Sequence, residues 1–153
     1  MKTLLLIDRL ATQAGVNSTH DKTHTMDLRK LIALLGGDDN ETIVWDCRPS
    51  PGFARAVELS GGILEKYNRT ASGEVEVAMA VEALCSEDNV RRIVFVSGSK
   101  ALCPLLRELA LDDELDVVVA SYKLSTAVDL LHIPGIMLME LDHYDVTREK
   151  GAL

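Results

Sequence analysis

Five short apolar runs constrain the fold more than any other feature of this chain: "TLLLID" (3–8), "TIVWDC" (42–47), "RIVFVS" (92–97), "LDVVVAS" (115–121) and "GIMLMEL" (135–141). Within each run apolar residues follow one another without the polar alternation of a half-solvated strand. That is how parallel strands covered on both faces read. The weaker segment "ILEKYN" (63–68) is a candidate sixth strand.

Helical patterns fill the intervals. "MDLRKLIALL" places Leu28, Leu31, Ile32 and Leu35 on one stripe and stops at Gly36-Gly37. "PGFARAVELSGG" has Pro51 near its start and Gly61-Gly62 at its end. "GEVEVAMAVEALCSED" is apolar around most of its circumference, which predicts a helix sandwiched between the sheet and other material. "ALCPLLRELAL" and "KLSTAVDLLHI" complete the set. Strand and helix in alternation predict a three-layer α/β/α fold with a central, mainly parallel sheet of five or six strands. Residues 11–24 are expected to form a polar irregular loop. Residues 1–141 are expected to form one domain and 142–153 a polar tail that frays or docks on a partner.

At 153 residues the chain can bury most of its apolar surface without a disulfide or metal staple. Hydrophobic residues make up 47% of it and aromatics only 4%, so aliphatic side chains must build the core. A net charge of -8 excludes nucleic-acid binding through a broad basic surface, though not through a local cationic site. Cys47, Cys85 and Cys103 are odd in number, widely spaced and set among apolar residues, as reduced core thiols are. His20, His24, His132 and His143 show neither metal-ligand spacing nor a nucleophile motif. In "MKTLLLID" Asp8 interrupts the apolar run too early for a signal peptide or a membrane span, and a cytoplasmic protein without membrane contact is expected.

Ligands of open parallel sheets bind at the carboxyl ends of the strands, near the point where strand order reverses. Those ends read Asp8-Arg9, Asp46-Cys47-Arg48, Ser97-Gly98-Ser99-Lys100 and Ser121-Tyr122-Lys123. Arg9, Arg48, Lys100 and Lys123 each follow a different strand, so all four are candidates to rim one crevice. With the hydroxyls of Ser97 and Ser99 and nearby helix N-termini, they would suit a phosphate or another anion.

The order of these pieces resembles the NYN family, a branch of the PIN-like metal-dependent ribonucleases. The counterparts are "LLLIDRLA" for the family's first strand ending in "IDGxN", "GEVEVAMAVEAL" for its acidic helix, "FVSGSKALCPLLREL" for its "LVSGDSDFxPLV" strand-turn-helix, and "STAVDLL" for its late "AD". The resemblance implies an acidic cluster that holds Mg2+ or Mn2+ and activates water for attack on a phosphodiester. Carried over position by position, the first-strand aspartate is Asp8, while the polar partner three residues on is Ala11. The helix acids become Glu76 and Glu82, and Asp129 stands at the late aspartate. In the "SGDSDF" turn the two acids become Ser99 and Ala101, with Lys100 between them.

These departures imply a degenerate member, inactive or impaired in hydrolysis, that serves as a binding or assembly module for RNA, nucleotide or protein. It would need no cofactor unless Mg2+ or Mn2+ still binds at Asp8, Glu76 and Asp129. Two other readings stand beside it. In one, Asp8, Glu76 and Glu82 remain catalytic in a reduced ribonuclease; in the other, the chain is a structural subunit of an oligomer. Each residue also has a plainer role open to it: Asp8 as a turn cap, Glu74 and Glu76 as acids at a helix N-terminus, Asp129 as a cap or solvent-facing acid, and Ser99 as a helix cap.

Overall fold

The computed structural model describes residues 2–67 and 73–151. Its main sheet has six strands: β1 (Lys2–Asp8), β3 (Asn40–Asp46), β4 (Ile63–Lys66), β5 (Val90–Val96), β6 (Asp116–Ser121) and β7 (Met137–Glu140). They lie in the order β4-β3-β1-β5-β6-β7. Every pairing is parallel. The five apolar runs and the weak sixth thus become one sheet, with "ILEKYN" reduced to a four-residue edge strand; its Asn68 lies outside the described residues.

Five helices cover the sheet: α1 (Arg9–Thr19), α2 (Leu28–Leu35), α3 (Pro51–Leu59), α4 (Glu74–Leu84) and α5 (Cys103–Leu109). The unalternating runs are explained by two cores that share each strand. From β1, Leu4 and Leu6 join Ile43, Trp45, Ile93 and Phe95 under α4 and α5. Leu5 and Ile7 join Val44, Val94 and Val96 under the face that also buries Val16, Leu31 and Val57 of α1, α2 and α3. Successive side chains point to opposite faces, so a strand buried on both must be apolar throughout.

Four expectations are corrected. Residues 11–19 of the supposed loop belong to α1, which the sequence hides behind poor helix formers such as Thr12, Gly15, Asn17 and Thr19. Asp8 caps it by accepting the N–H of Ala11 at 3.1 Å, and Thr12 Oγ1 donates to the Asp8 carbonyl at 2.7 Å. Gly15 is required by the fit, because a Cβ there would stand 2.6 Å from Tyr122 Cδ2. Residues 123–133 form no α-helix but two 3-10 turns, Lys123–Ser125 and Val128–His132. α4 is not sandwiched: Val75, Met79 and Ala83 are buried while Val77, Val81 and Leu84 face solvent. Of the three free cysteines only Cys103 is buried; Cys47 is partly exposed and Cys85 exposed.

The polar segment after residue 141 folds back on its own domain. Its residues Thr147–Glu149 form β8, antiparallel to β2 (His24–Met26), as a separate two-stranded ribbon. No helix among the described residues is long and apolar enough to cross a membrane.

Candidate anion site at the carboxyl edge of the sheet

The strand order reverses between β1 and β5, since the chain builds outward through β3 and β4 on one side and through β6 and β7 on the other. Ligand crevices of such sheets open at this point. Arg48, Arg9, Lys100 and Lys123 follow β3, β1, β5 and β6, four successive neighbours. At about 4.8 Å per strand their backbones form a row roughly 14 Å long.

Two buried acids stand on the β3/β1 side of this edge. Asp8 is 6% exposed and Asp46 7% exposed. Burial pushes the Asp8 carboxyl up to about 6; the N–H groups of Ala11 and Leu10 oppose the shift, while Glu76 and Asp46 reinforce it. Glu76 lies in the first turn of α4, where the helix N-terminus favours an acid. The same charges act on Tyr67, whose hydroxyl is pushed up to about 12 by burial and then by Asp8, Cys47, Asp46 and Glu76. Asp8, Asp46 and Glu76 therefore share one electrostatic field.

They do not share a coordination sphere. Among the described residues no three His, Cys, Asp or Glu side chains are grouped closely enough to hold a metal ion. Asp8 Oδ1 is engaged with Ala11, and Asp46 Oδ1 accepts the N–H of Arg48 at 3.2 Å. Glu82 lies six residues beyond Glu76 on α4, about 9 Å along the helix and about 120° round its axis from it. Asp129 is paired with Lys100 at 3.4 Å. The donor set does not fit the divalent ion that the resemblance implies.

The cations divide into two groups. Arg9 leaves the row and turns across α3 and the β2/β8 ribbon. Its guanidinium lies 4.5 Å from the centre of the Phe53 ring. Nη1 donates to Gln13 Oε1 at 2.8 Å and Nη2 to Thr25 Oγ1 at 3.5 Å. Burial lowers its pKa, against the pull of Asp46 and with the push of Arg148. Arg48 is exposed at the rim. On the other side Lys100 faces Asp129, while the exposed Lys123 donates its backbone N–H to Asp142 at 2.9 Å.

The serines are committed to the turn. Ser97, 3% exposed, accepts the N–H of Ser99 on Oγ at 3.2 Å, and Ser99 Oγ accepts that of Ala101 at 3.2 Å. The turn after β5 is also sealed from above: Ala127 N–H donates to the Gly98 carbonyl at 2.9 Å. A Cβ on Gly98 would fall 2.1 Å from the Ser125 carbonyl oxygen. The space left there is about 10 Å³.

Sequence reasoning put Asp8, Glu76 and Asp129 in one acidic set; the structure brings Asp8 and Glu76 into one field but pairs Asp129 with Lys100, and Glu82 lies six residues beyond Glu76 on α4. That reasoning missed the part played by Asp46, whose position at the end of β3 was the available signal. It also missed Tyr67, and the cations that Arg9 joins across the ribbon.

No protein-family model matches the chain. No curated protein matches it either. Among solved structures, it is similar to a crystal structure of a protein of unknown function from Vibrio parahaemolyticus, with a TM-score of 0.71 at 15% identity over 92% of this chain and 94% of that one. At that identity the likeness extends to the fold.

Proposed function

We propose that this chain is a NYN/PIN-like domain whose hydrolytic centre is impaired and whose sheet edge binds RNA or a nucleotide. The observation that carries this reading is the Lys100–Asp129 pair: a cation stands in the turn where the family's pattern has acids, and it occupies the late aspartate. A parallel sheet reversing at β1/β5 agrees with the resemblance.

The electrostatics derive from the layout. Buried Asp8 and Asp46 repel a phosphate from the β1/β3 part of the edge unless a metal bridges them, whereas the exposed Arg48 and Lys123 toward its two ends attract it. The ligand is held and no water is activated, because hydrolysis needs charge stabilisation worth several kcal/mol that these side chains do not supply.

Fluorescence anisotropy with a short single-stranded RNA at low salt, in chelator, tests the reading, with gel analysis of the same RNA after incubation with Mn2+. Binding without cleavage is expected, weakened by the double change Lys100→Glu, Lys123→Glu. Cleavage that needs Mn2+ and disappears in Asp8→Asn would establish a working nuclease instead.

A further inference from the structure

Among the described residues, positive charge gathers around one space on the far side of Arg9, beside the sheet edge. A cavity of about 530 Å³ opens between α2, α3 and the β2/β8 ribbon, and its lining includes Arg9, Arg29, Arg148 and Lys150. The one acid among the described residues of that lining is Asp27. Its Oδ1 accepts the N–H of Lys30 and caps α2. Four cations to one acid is the reverse of the chain's overall balance of -8.

The ribbon builds this imbalance by alternation. Arg148 is paired in register with Thr25, whose hydroxyl meets the Arg9 guanidinium. Cross-strand partners share a face, so Arg9, Thr25 and Arg148 gather on the cavity side while Glu149, the next residue, points to the other face. Arg9 is held there by Phe53 and Gln13, and its Nε is buried with no hydrogen-bond partner among the described residues. A buried donor without an acceptor is destabilising, so the Arg9 guanidinium beside the cavity is not fully satisfied by its present partners.

The nine-residue helix α3 also starts at this cavity. Pro51 has no N–H, and Phe53 N–H goes to Ser50 Oγ at 3.1 Å. Gly52 N–H remains, and nothing among the described residues lies within 4 Å of the position a Cβ would take. The volume falls in the range of small-ligand sites, roughly 300–1,000 Å³. Met26, Leu28, Phe53 and Ala56 add an apolar lining that a bare inorganic ion would leave uncovered.

We propose that this cavity binds a phosphomonoester of nucleotide size, with the phosphate between Arg9, Arg148 and the start of α3 and the ring against the apolar lining. The proposal deepens the function proposed for the sheet edge and rests on it in taking a phosphate-bearing ligand. Two sources share this chemistry, a free nucleotide and the phosphorylated end of an RNA.

The experiment uses the full chain and four probes: inorganic phosphate, a nucleoside 5′-monophosphate, and a labelled oligoribonucleotide with a 5′-phosphate or a 5′-hydroxyl. The monophosphate should bind at least about tenfold more tightly than inorganic phosphate, and affinity should fall with salt with a slope of about two to three counterions. If an RNA end is the source, the 5′-phosphorylated oligonucleotide should outbind its hydroxyl twin by about tenfold; equal affinities, with the monophosphate still bound, identify the free nucleotide. The double change Arg148→Glu, Lys150→Glu should lower monophosphate affinity at least about tenfold, and Arg29→Glu should lower it less. Arg107→Glu, on α5 across the sheet, should leave it unchanged, with thermal melts confirming that each variant folds. Binding lost in Lys100→Glu, Lys123→Glu but intact in Arg148→Glu, Lys150→Glu would overturn the cavity while leaving the sheet-edge function in place. Failure of every probe at low salt would overturn both.

Discussion

Lys100 Nζ lies 3.4 Å from Asp129 Oδ2, joining the turn after β5 to the 3-10 turn that precedes β7. The side chains are 76% and 48% exposed. Water and salt screen such a pair, so its role is to fix the sign of charge at this corner more than to hold the fold. Lys100→Ala and Asp129→Asn should each change unfolding free energy by less than about 1 kcal/mol in urea titrations. A larger loss in either would make the pair a structural clamp.

Asp8 sets the pH dependence. Its carboxyl is raised in the folded chain to about 6 from an ordinary 3.8, so between those values the folded state binds more protons than the unfolded state. Stability attributable to this group is greatest at acid pH and falls as pH rises from about 4 to about 6, by on the order of 1–3 kcal/mol. Asp8→Asn keeps an oxygen for the Ala11 cap and removes the charge. It should raise the urea midpoint at pH 7 and flatten the slope between pH 4 and pH 6. A midpoint at pH 7 lower than wild type would show that the charged cap outweighs the burial cost.

Metal should leave the fold indifferent. A ligand that binds only the native state raises its melting temperature by mass action, and the described acids of this edge are not grouped to hold an ion. Millimolar Mn2+ should shift the melting temperature of wild type no more than that of Asp8→Asn. An upward shift confined to wild type would mean that the acids close around an ion.

Gly98 should tolerate no side chain. A Cβ there meets the backbone of Ser125 at 2.1 Å and Thr126 Cα at 2.8 Å, atoms that cannot swing aside. Gly98→Ala is expected to cost about 1–3 kcal/mol, the range for overpacking. It should also loosen residues 122–127, read as faster amide exchange at Ala127, whose N–H donates to the Gly98 carbonyl. Unchanged exchange and stability would mean that the turn is held from elsewhere.

The sheet was legible because its physical signature is local: a strand covered on both faces shows as an unbroken apolar run, and Leu4 to Ile7 display it fully. α1 was not legible, because its helix is fixed by the Asp8 cap and by the fit of Tyr122 against Gly15, a partner more than a hundred residues away. The same holds for β2 and β8, three-residue strands held extended by each other and by Gln13 on His24 and Met26 and Lys30 on Thr147. At the site, Asp8 and Glu76 could be carried over from motifs. Arg29, Arg148 and Lys150 could not, since each looks like an ordinary solvated cation until the fold gathers them around the space beside Arg9.

The ribbon also imposes an order on events during synthesis. β2 is made early, but its partner emerges only when the ribosome has passed Glu149, the residue that faces His24. At about 5–20 residues per second the wait is roughly 6 to 25 s. Throughout it the aliphatic sheet can begin to assemble while one wall of the Arg9 cavity is missing. A chain released before residue 147 would hold all the buried residues of both cores yet lack one wall of the Arg9 cavity, so acquisition of the fold and acquisition of the ligand would be separate moments in the life of the chain.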